Sequence, residues 1–213
     1  ETDVEVTGIT TDAGAVTGVE TSDGVRPADV VINAAGPWAP DVNELVGVDA
    51  PLRHTEGPIL VLKGDRSVSL PFVFFEEGVY FREEGRSQVF VGRLATEYGE
   101  SERVNPNRAL SIPESMYDQV GDTAGTYFER LLDFDVINEW NGLRTVTPDG
   151  RCIVDETHVD GYMLACGMSG YGVTLAPAVG ELIAEWLTTG RKPEPLESLA
   201  LGRFEGVASA ADD

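Results

Sequence analysis

Lysine is nearly absent from this sequence: Lys63 and Lys192 are the only two in 213 residues. Lys and Arg together number 15 against 37 Asp and Glu, a formal charge of −22. A surface so negative repels phosphate backbones and anionic headgroups, which sets aside nucleic-acid and membrane-surface binding. The acids are scattered, not blocked, which is the pattern of a surface kept hydrated in high salt, so a halophilic, acidic protein is expected in preference to a polyanion mimic or a metal buffer. Cysteine is scarce too. Cys152 and Cys166 lie among apolar residues, where buried free thiols sit, and two cysteines make no disulfide framework. The two histidines, His54 and His158, are far apart with no close Cys/His/Asp grouping, so no metal site is expected. No apolar run reaches the ~18 residues of a membrane span, and no signal-peptide pattern opens the chain; a soluble cytoplasmic protein is expected. The chain opens on Glu1, not Met, which leads us to expect a segment ahead of it.

What is present is an ordinary hydrophobic share, 42%, arranged in strand-like and helix-like blocks. Val4, Val6 and Ile9, then Val16 and Val19, then Val30, Val31 and Ile32 are short β-type runs. Turn sequences at 12–14 and 22–24 separate them, which predicts a β-meander. Residues 28–39, ADVVINAAGPWA, form an apolar run without alternation, which predicts a strand buried on both faces. A short helical turn follows at 41–47. Ile59–Leu62, Phe72–Phe75, Val79–Phe81 and Val89–Val91, parted by glycine turns, predict an antiparallel sheet. Residues 112–133 read as a helix carrying Met116, Val120, Phe128, Leu131 and Leu132, interrupted near Gly121 and Gly125. Ile153–Val154 and Met163–Cys166 are further strands. Val173, Ala176, Val179, Leu182, Ile183, Trp186 and Leu187 then lie at helical spacing, and Gly190 stops that helix. The fold class is α+β or α/β. One α/β part takes residues 1–40 and 144–192, an antiparallel-sheet domain with flanking helices takes 41–143, and a tail with a mobile end takes 193–213.

Residues 167–172, GMSGYG, connect a buried strand to a helix N-terminus. Free amides and the helix dipole there favour a carbonyl or an anion, and the glycines let a ligand approach the backbone. Alone, such a turn is only a tight connection; it does not match G-x-G-x-x-G, and no G-x-x-x-x-G-K-[ST] loop occurs. Four segments in order are more specific: VVINAAGPWA, GVYFREEG, EWNGLRTVTPDG and GYMLACGMSGYGVTLAPAVGELIAEWL. Together they resemble the D-amino-acid oxidase-like (DAO) superfamily of FAD-dependent oxidoreductases, to which glycine oxidase, sarcosine oxidase and dimethylglycine dehydrogenase belong. The resemblance covers residues 2–190. Members carry a G-x-G-x-x-G loop in an N-terminal βαβ unit that this sequence lacks, so residues 1–40 and 144–192 are expected to form part of an FAD-binding domain and 41–143 the substrate domain.

The resemblance implies residue roles. Val4 matches a position whose backbone contacts adenine, and Ala35 and Gly36 match the turn passing the ribose and pyrophosphate. Gly170, Gly172, Val173 and Thr174 match the loop and helix start facing the flavin ring and ribityl chain. Arg144 matches the arginine that grips the substrate carboxylate, a task suited to a planar guanidinium; an ordinary structural ion pair is the alternative. Tyr80 matches a strand tyrosine that often lines the substrate pocket, or is a half-buried sheet aromatic. His54 has either an active-site role or a solvent-facing loop position. His158 is expected at the surface. Sarcosine oxidases attach FAD to a cysteine where this chain has Gly142, so non-covalent FAD is implied. They use lysines where Phe90 and Thr174 stand, which leaves an electron-acceptor protein or quinone as apt as oxygen.

The resemblance therefore implies oxidation of an amino acid or amine by hydride transfer to flavin. A hydroxy-acid or glycerol-phosphate dehydrogenase is a second possibility, favoured by a basic residue such as His54 in the pocket. A third is a non-catalytic fragment or interaction domain, which is expected to expose the apolar faces of Val30–Ala35 and Met163–Cys166.

Overall fold

The computed structural model describes residues 1–94, 98 and 104–206. The chain end expected to be mobile, 207–213, lies outside the described residues. The chain divides into two compact units. One holds Glu1–His54, Glu97–Val104 and Arg144–Asp213; the other holds Thr55–Thr96 and Asn105–Leu143. The expected boundary after residue 40 shifts to His54, because Ala39, Val48 and Leu52 are buried in the core of the first unit.

The first unit opens with a meander of β1 (Val6–Asp12), β2 (Ala15–Thr21) and β3 (Gly24–Pro27), hydrogen-bonded in that order. Ala13 and Gly14 turn the first hairpin with φ of +48° and +88°, the left-handed pair that matches strand twist. Val4 lies ahead of β1 and not within it. A second sheet orders β12 (Ile153–Glu156), β13 (Tyr162–Cys166) and β4 (Val31–Asn33), with β13 antiparallel to β12 and parallel to β4.

Strand alternation gives β13 two buried faces. Tyr162, Leu164 and Cys166 enter a core with Ile153, Leu52 and Phe204. Met163 and Ala165 enter another with Val179, Ile183 and Trp186 of α3 (Gly172–Thr189). Each large side chain buried there contributes roughly 1.5–3 kcal/mol. The expectation that Met163–Cys166 lies exposed is thus corrected: every residue of β13 is buried. The strand buried on both faces is this one and not 28–39. Within that run only Val31–Asn33 is strand; it forms the sheet edge, with Val30 and Ile32 each 38% exposed. Gly36–Trp38 then turns as a 3-10 helix into α1 (Ala39–Glu44).

Residues 193–206 pack as short helical segments. After Gly190 ends α3 in a left-handed cap, α4 (Glu194–Glu197) and a 3-10 turn (Leu201–Phe204) bury Leu196 and Phe204 in the two cores. Asp155 holds this segment by accepting from Lys192 Nζ at 2.5 Å and the Leu201 amide at 2.8 Å. Asp149 holds it by accepting from Arg203 Nε at 2.9 Å. Burial works against the Asp149 charge. Donors from Arg203, the Arg151 amide and the Thr147 hydroxyl outweigh it and hold the carboxyl at about 2 instead of 3.8.

The second unit is a five-stranded antiparallel sheet in the order β10 (Asp135–Trp140), β6 (Ile59–Lys63), β9 (Gln88–Arg93), β8 (Val79–Glu84), β7 (Val73–Phe74). Leu60, Leu62, Val79, Phe81, Val89 and Val91 cover α2 (Glu114–Tyr127) through Met116, Val120 and Ala124. The helix runs unbroken past Gly121 and Gly125, correcting the expected interruption. Each glycine costs about 1 kcal/mol relative to alanine, less than the burial of the opposite face supplies. The break comes at Phe128, whose φ of −141° leaves helical space and whose ring packs edge-on against Phe75. A two-stranded ribbon pairs β5 (Arg53–Glu56) with β11 (Leu143–Val146). No helix among the described residues is long and apolar enough to cross a membrane.

Two predictions follow from this packing. A Cβ at Gly64 overlaps the Phe134 ring, which packs against the sheet core; Gly64→Ala is expected to cost about 1–3 kcal/mol in urea unfolding. Asp149 has a folded pKa below its ordinary value, so its stabilisation is complete above about 4 and is lost as pH falls towards about 2. Unfolding midpoints of Asp149→Asn should therefore lie below wild type at pH 7, with the gap closing in acid.

Candidate active site

Three residues of the turn after β13 have left-handed backbones: Gly167 at φ +67°, Ser169 at +51° and Gly170 at +88°. Ser169 adopts an angle that costs a residue with a Cβ about 1 kcal/mol. It is kept there by its amide, which donates to the Thr145 carbonyl at 2.9 Å, and by the Tyr171 amide, which closes onto the Met168 carbonyl at 2.8 Å. Gly167 admits no side chain. A Cβ there would lie 2.5 Å from Thr147 Cγ2 and 3.1 Å from Leu52 Cδ2. The turn is thus seated on the end of β11 and the residues just after it.

Beyond the turn, α3 begins with Tyr171 as N-cap and no side-chain cap bond. The first-turn amides of Gly172, Val173 and Thr174 have no partner within the helix and concentrate its positive end there. Val173 is 94% exposed. Pro177 lies inside the helix and has no amide proton to offer the Val173 carbonyl, so the first turn is less tied than the rest.

Arg144 belongs to β11, next to the Thr145 carbonyl that seats the turn, and its side chain runs along Gly170. A Cβ on Gly170 would lie 3.1 Å from Arg144 Cδ and 3.4 Å from Nε. The structure therefore brings together, within one unit, the arginine and the turn that the sequence singled out separately. Beside Arg144, the Thr145 hydroxyl is buried and has no hydrogen-bond partner.

A second group of positions follows β4. Asn33 is buried; its amide donates to the Ala39 carbonyl at 2.9 Å and to Asn43 Oδ1 at 2.8 Å, and its carbonyl accepts from the Ala35 amide at 3.1 Å. Tyr162 donates to Asn43 Oδ1 at 2.8 Å. Burial pushes its hydroxyl up to about 12, against the lowering effect of Asn33. This network shapes the turn in which Gly36 has φ +55° and open space where a Cβ would stand. His54 is 4% exposed, with Nε2 2.9 Å from the Pro37 carbonyl. The solvent-facing alternative for His54 is thereby corrected. A carbonyl can only accept, so Nε2 carries the proton, and the histidine ties down the residue after Gly36.

Tyr80 lies in the second unit, half-buried, stacked on Phe72 at 5.1 Å and covering Gly92. Phe90, on the neighbouring strand, lies under Arg82 at 4.6 Å and edge-on to Trp140 at 5.6 Å. Val4 is half-buried ahead of β1, and His158 is exposed. Both cysteines are free and buried, and burial pushes the Cys166 thiol up to about 12. No group of three or more His, Cys, Asp or Glu among the described residues is placed to hold a metal ion. Thr147 and Asn33 escaped the sequence reading. Asn33, a lone amide inside an apolar run, is the kind of signal that marks a buried polar network.

A model of the FAD dependent oxidoreductase family, DAO, matches residues 1–186. Glycine oxidase of Pseudomonas putida is 28% identical over 191 residues, covering 89% of this chain and 49% of that protein. D-amino acid dehydrogenase of Methylobacterium radiotolerans is 31% identical over 193 residues, covering 89% and 44%. Among solved structures, L-proline dehydrogenase from P. horikoshii superposes with a TM-score of 0.83 at 25% identity, covering 96% of this chain and 54% of that one. The chain spans about half the length of these relatives. With a family match that runs from its first residue into α3, this chain belongs to the DAO family of FAD-dependent oxidoreductases.

Proposed function

We propose that the complete protein oxidises an amino acid or amine with non-covalently bound FAD, and that this chain supplies the part of the site that holds the substrate carboxylate. One observation carries the proposal: the Arg144 side chain lies along Gly170, at the turn that leads into the uncapped start of α3. The residues present fit the cofactor. An uncapped helix start suits the electron-rich edge of a flavin ring or a phosphate, and glycines at 170 and 172 leave the backbone approachable. Gly142 offers no nucleophile for a covalent link.

Gly170, Gly172, Val173 and Thr174 would face the flavin, with Ala35 and Gly36 passing the ribose and pyrophosphate and Val4 near the adenine. When bound, FAD supplies the hydride acceptor. Arg144 grips the substrate carboxylate through two parallel hydrogen bonds and fixes the direction of the α-C–H bond. The positive end of α3 stabilises negative charge beside it. An amine arriving neutral needs no acid–base pair, which suits a site without a placed histidine. The hydroxy-acid reading draws no support from His54, whose Nε2 sits on the Pro37 carbonyl. Phe90 and Thr174 stand where an oxygen-using relative has lysines, so a protein or quinone acceptor suits the chain as well as oxygen does. The charge of −22 with two lysines suits a surface kept hydrated in high salt.

In the complete gene product reconstituted with FAD, Arg144→Ala is expected to raise KM for a carboxylate-bearing substrate about a hundredfold while the flavin stays bound. Arg144→Lys should recover only part, since an ammonium cannot make the paired contact. Unchanged kinetics in Arg144→Ala would remove the arginine from the site. Absence of flavin bands after reconstitution would support the non-catalytic alternative.

A further inference from the structure

Arg203 sits in the 3-10 turn Leu201–Phe204, 59 residues beyond Arg144 in sequence. Its guanidinium meets four acceptor groups. Nε and Nη2 reach the two Asp149 oxygens at 2.9 and 3.2 Å; Nη2 also reaches the carbonyls of Arg151 at 2.7 Å and Cys152 at 3.0 Å, and Nη1 reaches that of Ala200 at 2.9 Å. The Phe204 ring lies 4.1 Å from its centre, and the side chain is only 17% exposed. A fork so fully engaged holds one position.

Asp149 passes that position on. It accepts from the Arg151 amide at 3.0 Å, and the one Thr147 hydroxyl proton is shared between Asp149 Oδ1 at 3.1 Å and the Arg151 carbonyl at 2.7 Å. Thr147 is buried, and its methyl fills the space against Gly167. Two residues earlier, Thr145 receives the Ser169 amide. The strand end from 144 to 147 thus touches the turn at three places: Arg144 on Gly170, Thr145 on Ser169 and Thr147 on Gly167.

We propose that Arg203 and Asp149 are positioning residues for the flavin-facing turn, clamping Thr147 against Gly167 and so fixing residues 167–172 relative to Arg144. The proposal rests on the functional reading above. It differs from mere anchoring of the C-terminal segment, because Lys192 and Asp155 anchor the same segment without reaching the 147–151 turn.

That second anchor supplies the control. In the complete gene product, FAD binding is titrated and the visible flavin band recorded for wild type, Arg203→Ala, Arg203→Lys, Asp149→Asn and Lys192→Ala, with melting temperatures of the apo forms alongside. Arg203→Ala and Asp149→Asn should each raise the FAD dissociation constant about tenfold and shift the band, as loss of a charged hydrogen-bond pair implies. Arg203→Lys should recover part of both. Lys192→Ala should lower the melting temperature while leaving constant and band unchanged. Equal effects of Arg203→Ala and Lys192→Ala on FAD, in step with melting temperature, overturn the assignment. So does an unchanged constant and band in the Arg203 variants. A wild type that takes up no FAD overturns the flavin reading itself and the clamp's role with it.

Discussion

Gly167, Ser169 and Gly170 hold left-handed backbones between a strand covered on both faces and an eighteen-residue helix, and a turn of that shape persists only where its neighbours hold it. β13 cannot shift, because Met163 and Ala165 are packed on one side and Leu164 and Cys166 on the other. α3 cannot roll, because Val179, Ile183 and Trp186 are packed beneath it. The connection must therefore cross a fixed gap in few residues. It does so by spending two glycines and one strained serine, and the end of β11 takes up the amide and the space that this leaves. The arginine on that strand end is placed by the same contacts that shape the turn.

The polar residues of the first unit divide into two networks with different tasks. Asn33, Asn43 and Tyr162 are buried together and shape the chain after β4, with His54 securing Pro37 from the next strand. Asp149, Asp155, Lys192 and Arg203 join the C-terminal segment to the sheet. In a chain with so few cations, the placing of Lys192 and Arg203 on partly buried carboxylates contrasts with exposed pairs such as Arg66–Asp65, which contribute little.

Much of this was legible in the sequence where local chemistry decides. The first two meander strands and the antiparallel sheet followed from short apolar runs parted by glycine turns, and α3 from its spacing and Gly190; the third meander strand is Gly24–Pro27, while the run at Val30–Ile32 pairs in the other sheet. The mixture of helices and sheets, an α+β class, was legible more coarsely than the strand pairing. Residues 28–39 were misjudged because an apolar run does not say whether a strand is central or at an edge. The helix over 114–127 was misjudged at its glycines because propensity is local and the burial that overrides it is not. β10 is exposed at every residue and shows no alternation to read. At the site, Arg144 and the 170–174 turn came from motifs. Their adjacency, and the reach of Arg203 to Asp149 across 54 residues, are tertiary facts that no spacing encodes.

The central claim is that Arg144 presents a carboxylate to the flavin-facing turn. The most direct measurement is titration of the complete, FAD-loaded protein with a simple carboxylate that cannot be oxidised, such as acetate, followed through the visible flavin band. The account predicts a saturable spectral change in wild type that disappears in Arg144→Met while the flavin remains bound. A change of equal size and affinity in the variant, or none in the wild type, contradicts it.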